Sequence, residues 1–184
     1  GPLTNIATAL KLDATLPSKF AKLVCMAGAV TAQGNVTPTA EFNVYADPEA
    51  AHVVFAAWPE FTIVDWEATV RHSLPVDQAA EWQTLDTPKS DFYRRIMAHY
   101  FDWVKGEKRP FYFAADGLAM AVAVAPENVV AAETHHLSVE LNGRLTRGQT
   151  VVDWGDQTNQ PANAHIVQRV DHDRFLSLMR HALL

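Results

Sequence analysis

The chain has 184 residues and a mass of 20.4 kDa, enough for one domain with a sizeable core. Its net charge is −6, and Lys and Arg nowhere cluster, which argues against a nucleic-acid-binding surface. No apolar run is long enough to span a membrane. The one short basic run, KGEKR at residues 105–109, is broken by a glutamate and is interpreted as a solvated loop.

Cysteine content bears on the cellular compartment. Cys25 is the single cysteine and lies in the apolar run AKLVCMAGAV, so we expect a buried structural thiol and no disulfide. A protein without disulfides fits a reducing compartment, and we therefore expect a cytoplasmic location.

The hydrophobic pattern predicts helices that alternate with strands. The predicted helices are residues 5–12, PEAAHVVFAA after the N-cap Asp47, DFYRRIMAHYFDWVKG after the cap Ser90, DGLAMAVAVAPENV, and DHDRFLSLMRHALL at the end of the chain. The predicted strands are FAKLVCMAGAV and FTIVDWEA, followed by a late hairpin of HHLSVEL and QTVVDW around the turn signal Asn142-Gly143. This order predicts an α/β fold with an open, largely parallel but mixed sheet flanked by helices and a late β-hairpin.

The stretch GNVTPTAEFNVYADPEAA, from Gly34 to Ala51, follows a predicted strand and precedes a helix. Ligand crevices of parallel sheets lie at such positions. In an extended conformation Glu41 and Asn43 would share one face, with Phe42 on the other, and Asn35 could fold back to join them. Two amides and a carboxylate suit a cis-diol. The structural alternative is that Asn35 shapes a turn, Glu41 is solvated and Asn43 is a cap.

Three blocks in order carry a resemblance to a known family: GPLTNIA with the stretch above, AADGLAMAVAVAPE, and ELNGRLTRGQTVVD. Together they resemble the inosine-uridine preferring nucleoside hydrolase family. The resemblance implies hydrolysis of the N-glycosidic bond of ribonucleosides to ribose and free base, with calcium holding the attacking water. It further implies that Asn35, Glu41 and Asn43 bind the ribose hydroxyls, that Phe42 packs beside them, and that Asp116 is a calcium ligand.

The chain lacks the aspartate-rich first-strand motif that supplies most calcium ligands in this family. We therefore interpret residues 1–184 as the C-terminal part of a single nucleoside hydrolase-like domain. The missing ligands would come from an N-terminal part or a partner chain, in a homo-oligomer or a hetero-assembly.

Two further positions differ from many family members. Ala115 stands where these place a histidine that protonates the departing base. His99 and Tyr100 on the preceding helix are our candidates for this acid. Trp66 could stack on the base, although a buried aromatic residue at a strand end is an equal alternative. The sequence leaves purine against pyrimidine preference open.

Two other functions remain compatible with these departures. The chain could be a catalytically silent nucleoside or ribose binder, because the aspartate motif is missing and Ala115 offers no proton. It could also be a structural subunit that completes the sheet of another chain.

Overall fold

The structure is a computed structural model that describes residues 1–184. It contains eight helices: α1 Thr4–Leu12, α2 Phe42–Ala46, α3 Pro48–Ala57, α4 Trp66–Arg71, α5 Val76–Glu81, α6 Pro88–Gly106, α7 Ala115–Val124 and α8 His172–Ala182. Its eight strands are β1 Val24–Met26, β2 Phe61–Val64, β3 Leu74–Pro75, β4 Phe111–Tyr112, β5 Val129–His135, β6 Leu137–Val139, β7 Thr150–Val152 and β8 Ala164–Val170. No helix is both long and apolar enough to cross a bilayer.

The main sheet has four strands in the order β1-β2-β8-β5. β1, β2 and β8 run parallel, whereas β5 pairs with β8 in the antiparallel direction. β3 with β4 and β6 with β7 form two small antiparallel ladders. The mixed, largely parallel sheet and the late hairpin confirm the predicted fold class.

The sheet separates two hydrophobic cores because successive side chains of a strand point to opposite faces. Ile63 and Ile166 pack on the face covered by α1 and α3. Val64 and Val167, each one residue later, pack on the other face, with Leu118 of α7. All five side chains are at most 1% exposed. Helices on both faces explain why β1 and β2 are short, largely apolar runs.

Several predicted element boundaries were wrong. The first strand covers only Val24–Met26, and the second ends at Val64 because Asp65 caps α4 by accepting the Ala68 N–H. Thr87 caps α6, whereas the predicted cap Ser90 donates its N–H to the Thr87 hydroxyl. Helix α7 begins at Ala115, one residue before the predicted start, so Asp116 lies in its first turn.

Two strands of the sheet were not predicted. The Ala-rich helix ends at Val124 because Pro126 cannot continue it, and β5 follows at Val129. β8 is the third parallel strand and was missed. The hairpin of β6 and β7 is confirmed, but residues 140–149 connect its strands, and Asn142-Gly143 lies within that longer connection.

Helix α6 has two apolar faces, of which one is exposed and the other is buried in the core. Phe92, Ile96 and Trp103 are 42–58% exposed, whereas Phe101 and Val104 are buried in the core. Tyr100 lies between the two faces and is half-buried. The exposed face is therefore free to border a cavity.

Candidate active site

The candidate site is built at the carboxyl ends of β1 and β2. Because these strands are parallel, the chain leaves Met26 and Val64 at the same edge of the sheet. The segment after β1 leads to α2, and the segment after β2 leads directly into α4. This is where ligands bind in open α/β sheets.

Glu41 ties the two ends of the first segment together. Its Oε2 accepts hydrogen bonds from the Gly28 N–H at 2.9 Å and the Val44 N–H at 3.3 Å, and its Oε1 accepts from the Asn43 N–H at 2.8 Å. The side chain is 1% exposed and is the N-cap of α2. A carboxylate has about four acceptor positions, and these three hydrogen bonds use three of them. Burial raises the pKa of the Glu41 carboxyl above its ordinary value, and the three N–H groups oppose this rise.

Each of the two asparagines uses one end of its side-chain amide in a backbone hydrogen bond. Asn35 Oδ1 accepts from the Phe42 N–H at 2.9 Å, which leaves the Asn35 NH₂ group without a partner in the chain. Asn43 Nδ2 donates to the Met26 carbonyl at 3.1 Å, which leaves Asn43 Oδ1 without one. The expected extended alternation is wrong, because Phe42 and Asn43 begin a helix. The two asparagine side chains retain one free donor group and one free acceptor atom.

A cavity of about 630 Å³ opens beside this segment. Its walls are formed by residues from four parts of the chain: Gly34, Asn35, Val36, Phe42, Trp66, Tyr100, Trp103, Arg109, Phe113 and Ala115. Trp66 and Phe113 contact each other with ring centroids 5.1 Å apart. The cavity thus has a polar side at Asn35 and a largely aromatic remainder.

The cavity brings together some of the predicted site residues and not others. Asn35, Phe42, Trp66 and Tyr100 line it, whereas Glu41, Asn43, His99 and Asp116 do not. His99 is exposed on α6. Asp116 is exposed and follows the lining residue Ala115, and its carboxylate accepts no hydrogen bond within the chain.

The residues of this chain do not form a metal site by themselves. No group of three or more His, Cys, Asp or Glu side chains is placed to hold an ion. Calcium takes six to eight oxygen ligands, and Asp116 offers one carboxylate. A complete calcium site would need ligands from outside these residues.

Two residues of the site were not predicted from the sequence. Glu67 holds the segment after β1 by accepting the Val30 N–H at 3.1 Å and the Thr31 N–H at 2.7 Å. Arg109 was interpreted as part of a solvated loop, but it lines the cavity with its Cζ 4.2 Å from the centroid of the Trp103 ring. The sequence signal that could have indicated Arg109 as a site residue was its position shortly after the aromatic residues Tyr100 and Trp103.

A family model described as inosine-uridine preferring nucleoside hydrolase matches residues 1–177. The chain belongs to this family. The pyrimidine-specific ribonucleoside hydrolase RihA of Escherichia coli O9:H4 (strain HS) is 34% identical over 185 aligned positions, which cover 100% of this chain and 59% of that protein. The RihA protein of Shigella flexneri is 33% identical with the same coverage.

Solved nucleoside hydrolase structures confirm the fold. An inosine-guanosine nucleoside hydrolase superposes with a TM-score of 0.89 at 30% identity, covering 100% of this chain and 59% of that one. The purine-preferring ribonucleoside hydrolase of Gardnerella vaginalis gives a TM-score of 0.85 at 29% identity, covering 100% and 58%. The chain therefore spans about three-fifths of the length of these nucleoside hydrolases. Enzymes of the family are generally metal-dependent.

Proposed function

We propose that the complete protein containing these residues hydrolyses the N-glycosidic bond of ribonucleosides and releases ribose and free base. The observation that carries this proposal is the composition of the cavity of about 630 Å³, which is lined by Asn35, whose NH₂ group has no partner in the chain, and by Trp66, Tyr100 and Trp103. A nucleoside has the same division, with a polar sugar joined to a flat base. Aromatic walls suit the base, because every base has a π face.

Ribose would bind on the polar side. The free Asn35 NH₂ group donates to a hydroxyl oxygen, and the free Asn43 Oδ1 accepts a hydroxyl proton. Glu41 holds Gly28 and Asn43 in place and has one acceptor position left. When ionised, it also places negative charge near the sugar, which stabilises an oxocarbenium-like transition state.

The metal part of the proposal is limited to Asp116. We propose that Asp116 is one ligand of a calcium ion whose other ligands belong to an N-terminal part or a partner chain. The coverage of about three-fifths of the related enzymes and the single available carboxylate support this division. When bound, calcium would lower the pKa of a coordinated water. Assembly into oligomers stays a prediction. A cytoplasmic location also stays a prediction, and the buried free Cys25 supports it.

The test is release of free base from inosine and uridine by the complete protein. We expect turnover that a chelator abolishes and added calcium restores. Asn35→Ala should lower kcat/KM by roughly tenfold or more, since it removes a sugar contact and the acceptor of the Phe42 N–H. Asn5→Ala, at an exposed position of α1, is the matched control and should retain the parent activity. Equal activity of the Asn35→Ala and Asn5→Ala variants would reject the sugar-binding role.

A catalytically silent nucleoside binder is the second candidate. Ala115 favours it, because this lining residue can neither protonate nor stack on a departing base. Binding of labelled inosine without release of hypoxanthine, in the presence of calcium, would support the binder and exclude the hydrolase. The third candidate is a structural subunit that completes the sheet of another chain by pairing with the edge strand β1. This role predicts that the protein purifies only together with a partner chain.

A further inference from the structure

This inference rests on the proposed function and concerns the departing base, for which Ala115 supplies no acid at the position where many family members have a histidine. In hydrolysis the water oxygen bonds to C1′ while the C1′–N bond breaks, and its electron pair leaves on the base nitrogen. Water loses one proton to solvent, and the base anion takes one up. Unless the base is protonated as it leaves, negative charge must be stabilised on it.

Only one of the two predicted acids reaches the cavity. His99 does not line it, whereas Tyr100 does, and Ala115 has no titratable group. Arg109 is the only charged residue among those that line it. A fixed positive charge can stabilise a departing anion without transferring a proton.

The Arg109 side chain is held over Trp103 and keeps its donors free. Its Cζ lies 4.2 Å from the Trp103 ring centroid, and its backbone N–H donates to the Val104 carbonyl at 3.0 Å. None of the six ion pairs in the chain includes Arg109. A guanidinium stacked on a ring presents its N–H groups at the ring edge, in one plane.

We propose that Arg109 is a catalytic residue that donates hydrogen bonds to a carbonyl oxygen of the departing base and stabilises the charge that collects there. A guanidinium has donors only and stays charged at every physiological pH. It therefore favours bases with a ring carbonyl, such as uracil and hypoxanthine. Adenine instead presents an amino group, so donor would face donor and a polar group would be left unpaired.

The experiment compares Arg109→Met with Arg109→Lys in the complete protein on two kinds of substrate. Uridine and inosine have leaving groups that need stabilisation. p-Nitrophenyl β-D-riboside has a leaving group that is stable as an anion without help. Arg109→Met should lower kcat/KM for uridine and inosine by roughly a hundredfold, and leave the nitrophenyl riboside near the parent value. Arg109→Lys keeps the charge and should retain part of the activity. Lys105→Met, which removes a charge from the last turn of α6 outside the cavity, is the matched control.

A binding measurement separates this inference from the proposed function. Calorimetric titration with uracil, hypoxanthine and adenine needs no turnover, and Arg109→Met should weaken the binding of the first two and spare adenine. Equal loss on both kinds of substrate, or unchanged activity and base binding in Arg109→Met, would overturn the role of Arg109. A parent protein that binds uracil through Arg109 but hydrolyses no nucleoside would overturn the proposed function and retain Arg109 as a base-recognition residue.

Discussion

The Glu41 carboxylate accepts the Gly28 N–H at 2.9 Å and so connects two residues that are 13 positions apart in the chain. Gly28 follows β1, and Glu41 starts α2. Everything between them, including Asn35, is a loop whose two ends this hydrogen bond fixes. The position of the candidate sugar-binding groups therefore depends on a buried side chain.

Glu41→Ala should destabilise the protein. The change removes the helix cap and leaves the N–H groups of Gly28, Asn43 and Val44 without their acceptor. Lost caps and buried unpaired donors together should lower the free energy of unfolding by about 2–4 kcal/mol. Urea denaturation measures this change. Glu49→Ala, which removes an exposed carboxylate paired with Arg147, is the control and should have a much smaller effect. Similar losses in the two variants would contradict the anchoring role.

Gly28→Ala should destabilise the same loop for a steric reason. Gly28 has φ of +77°, and an added Cβ would lie 2.7 Å from Thr150 Cγ2 and 3.0 Å from Thr150 Oγ1. Backbone strain and the contact together should cost about 2–3 kcal/mol.

Thr150→Ser removes Cγ2 but keeps the hydroxyl that accepts the Ala29 N–H. The double variant should therefore recover part of the loss, and thermal unfolding of both single variants and the pair would measure it. Gly106→Ala, with nothing within 4 Å of its Cβ, is the neutral control. A double variant no more stable than Gly28→Ala would mean that Thr150 is not the obstacle.

The fold was predictable where one local signal decided an element. Asp47 before Pro48 gave the start of α3 correctly, because a cap and a helix-compatible proline act within a few residues. β8 was missed because its parallel partner β2 lies about 100 residues away in sequence, and its HIVQRV pattern is not purely apolar. Pairing across such a separation leaves no local signal.

The local grouping of the polar residues was predictable from the sequence, and of these only Asn35 lines the cavity. Asn35, Glu41 and Asn43 lie within nine residues of one another, so their approach is nearly local. Arg109 joins the cavity only because α6 ends beside it and its side chain stacks on Trp103. That contact depends on which face of α6 is buried, and two apolar faces made the sequence ambiguous.

His72 should make stability depend on pH. Its ring is 5% exposed, and its Nε2 accepts the Val170 N–H at 3.1 Å. Burial lowers the pKa of His72 from 6.5 to about 4, with smaller contributions from His172, Arg71 and Arg169. The unfolded chain binds this proton near pH 6.5 and the folded protein only near pH 4, so stability from this group is lost as the pH falls between these values.

The His72→Gln variant isolates this contribution. Gln cannot titrate, so the stability advantage of the parent over the variant should shrink by about 2–3 kcal/mol between pH 6.5 and pH 4.5. Urea denaturation at the two pH values measures it. His52→Gln, at an exposed position of α3, should show no such change. A parent advantage that is constant with pH would show that His72 titrates normally.

Asp65 should have the opposite effect, so the two groups partly cancel in the parent protein. Asp65 is 2% exposed at the end of β2, and burial raises the pKa of its carboxyl from 3.8 to about 7. The unfolded chain releases this proton first, and stability is therefore lost as the pH rises from about 4 to 7.

Asp65→Asn keeps an oxygen to accept the Ala68 N–H but cannot ionise. Relative to the parent it should gain up to about 3 kcal/mol between pH 4.5 and pH 7. Asp47→Asn removes a cap carboxylate whose pKa is lowered by its hydrogen bond from Thr4, so this control should show no such gain. Urea denaturation of the three proteins across this range decides the sign, and an Asp65→Asn curve parallel to that of the parent would mean that Asp65 is ionised in the fold at pH 4.5.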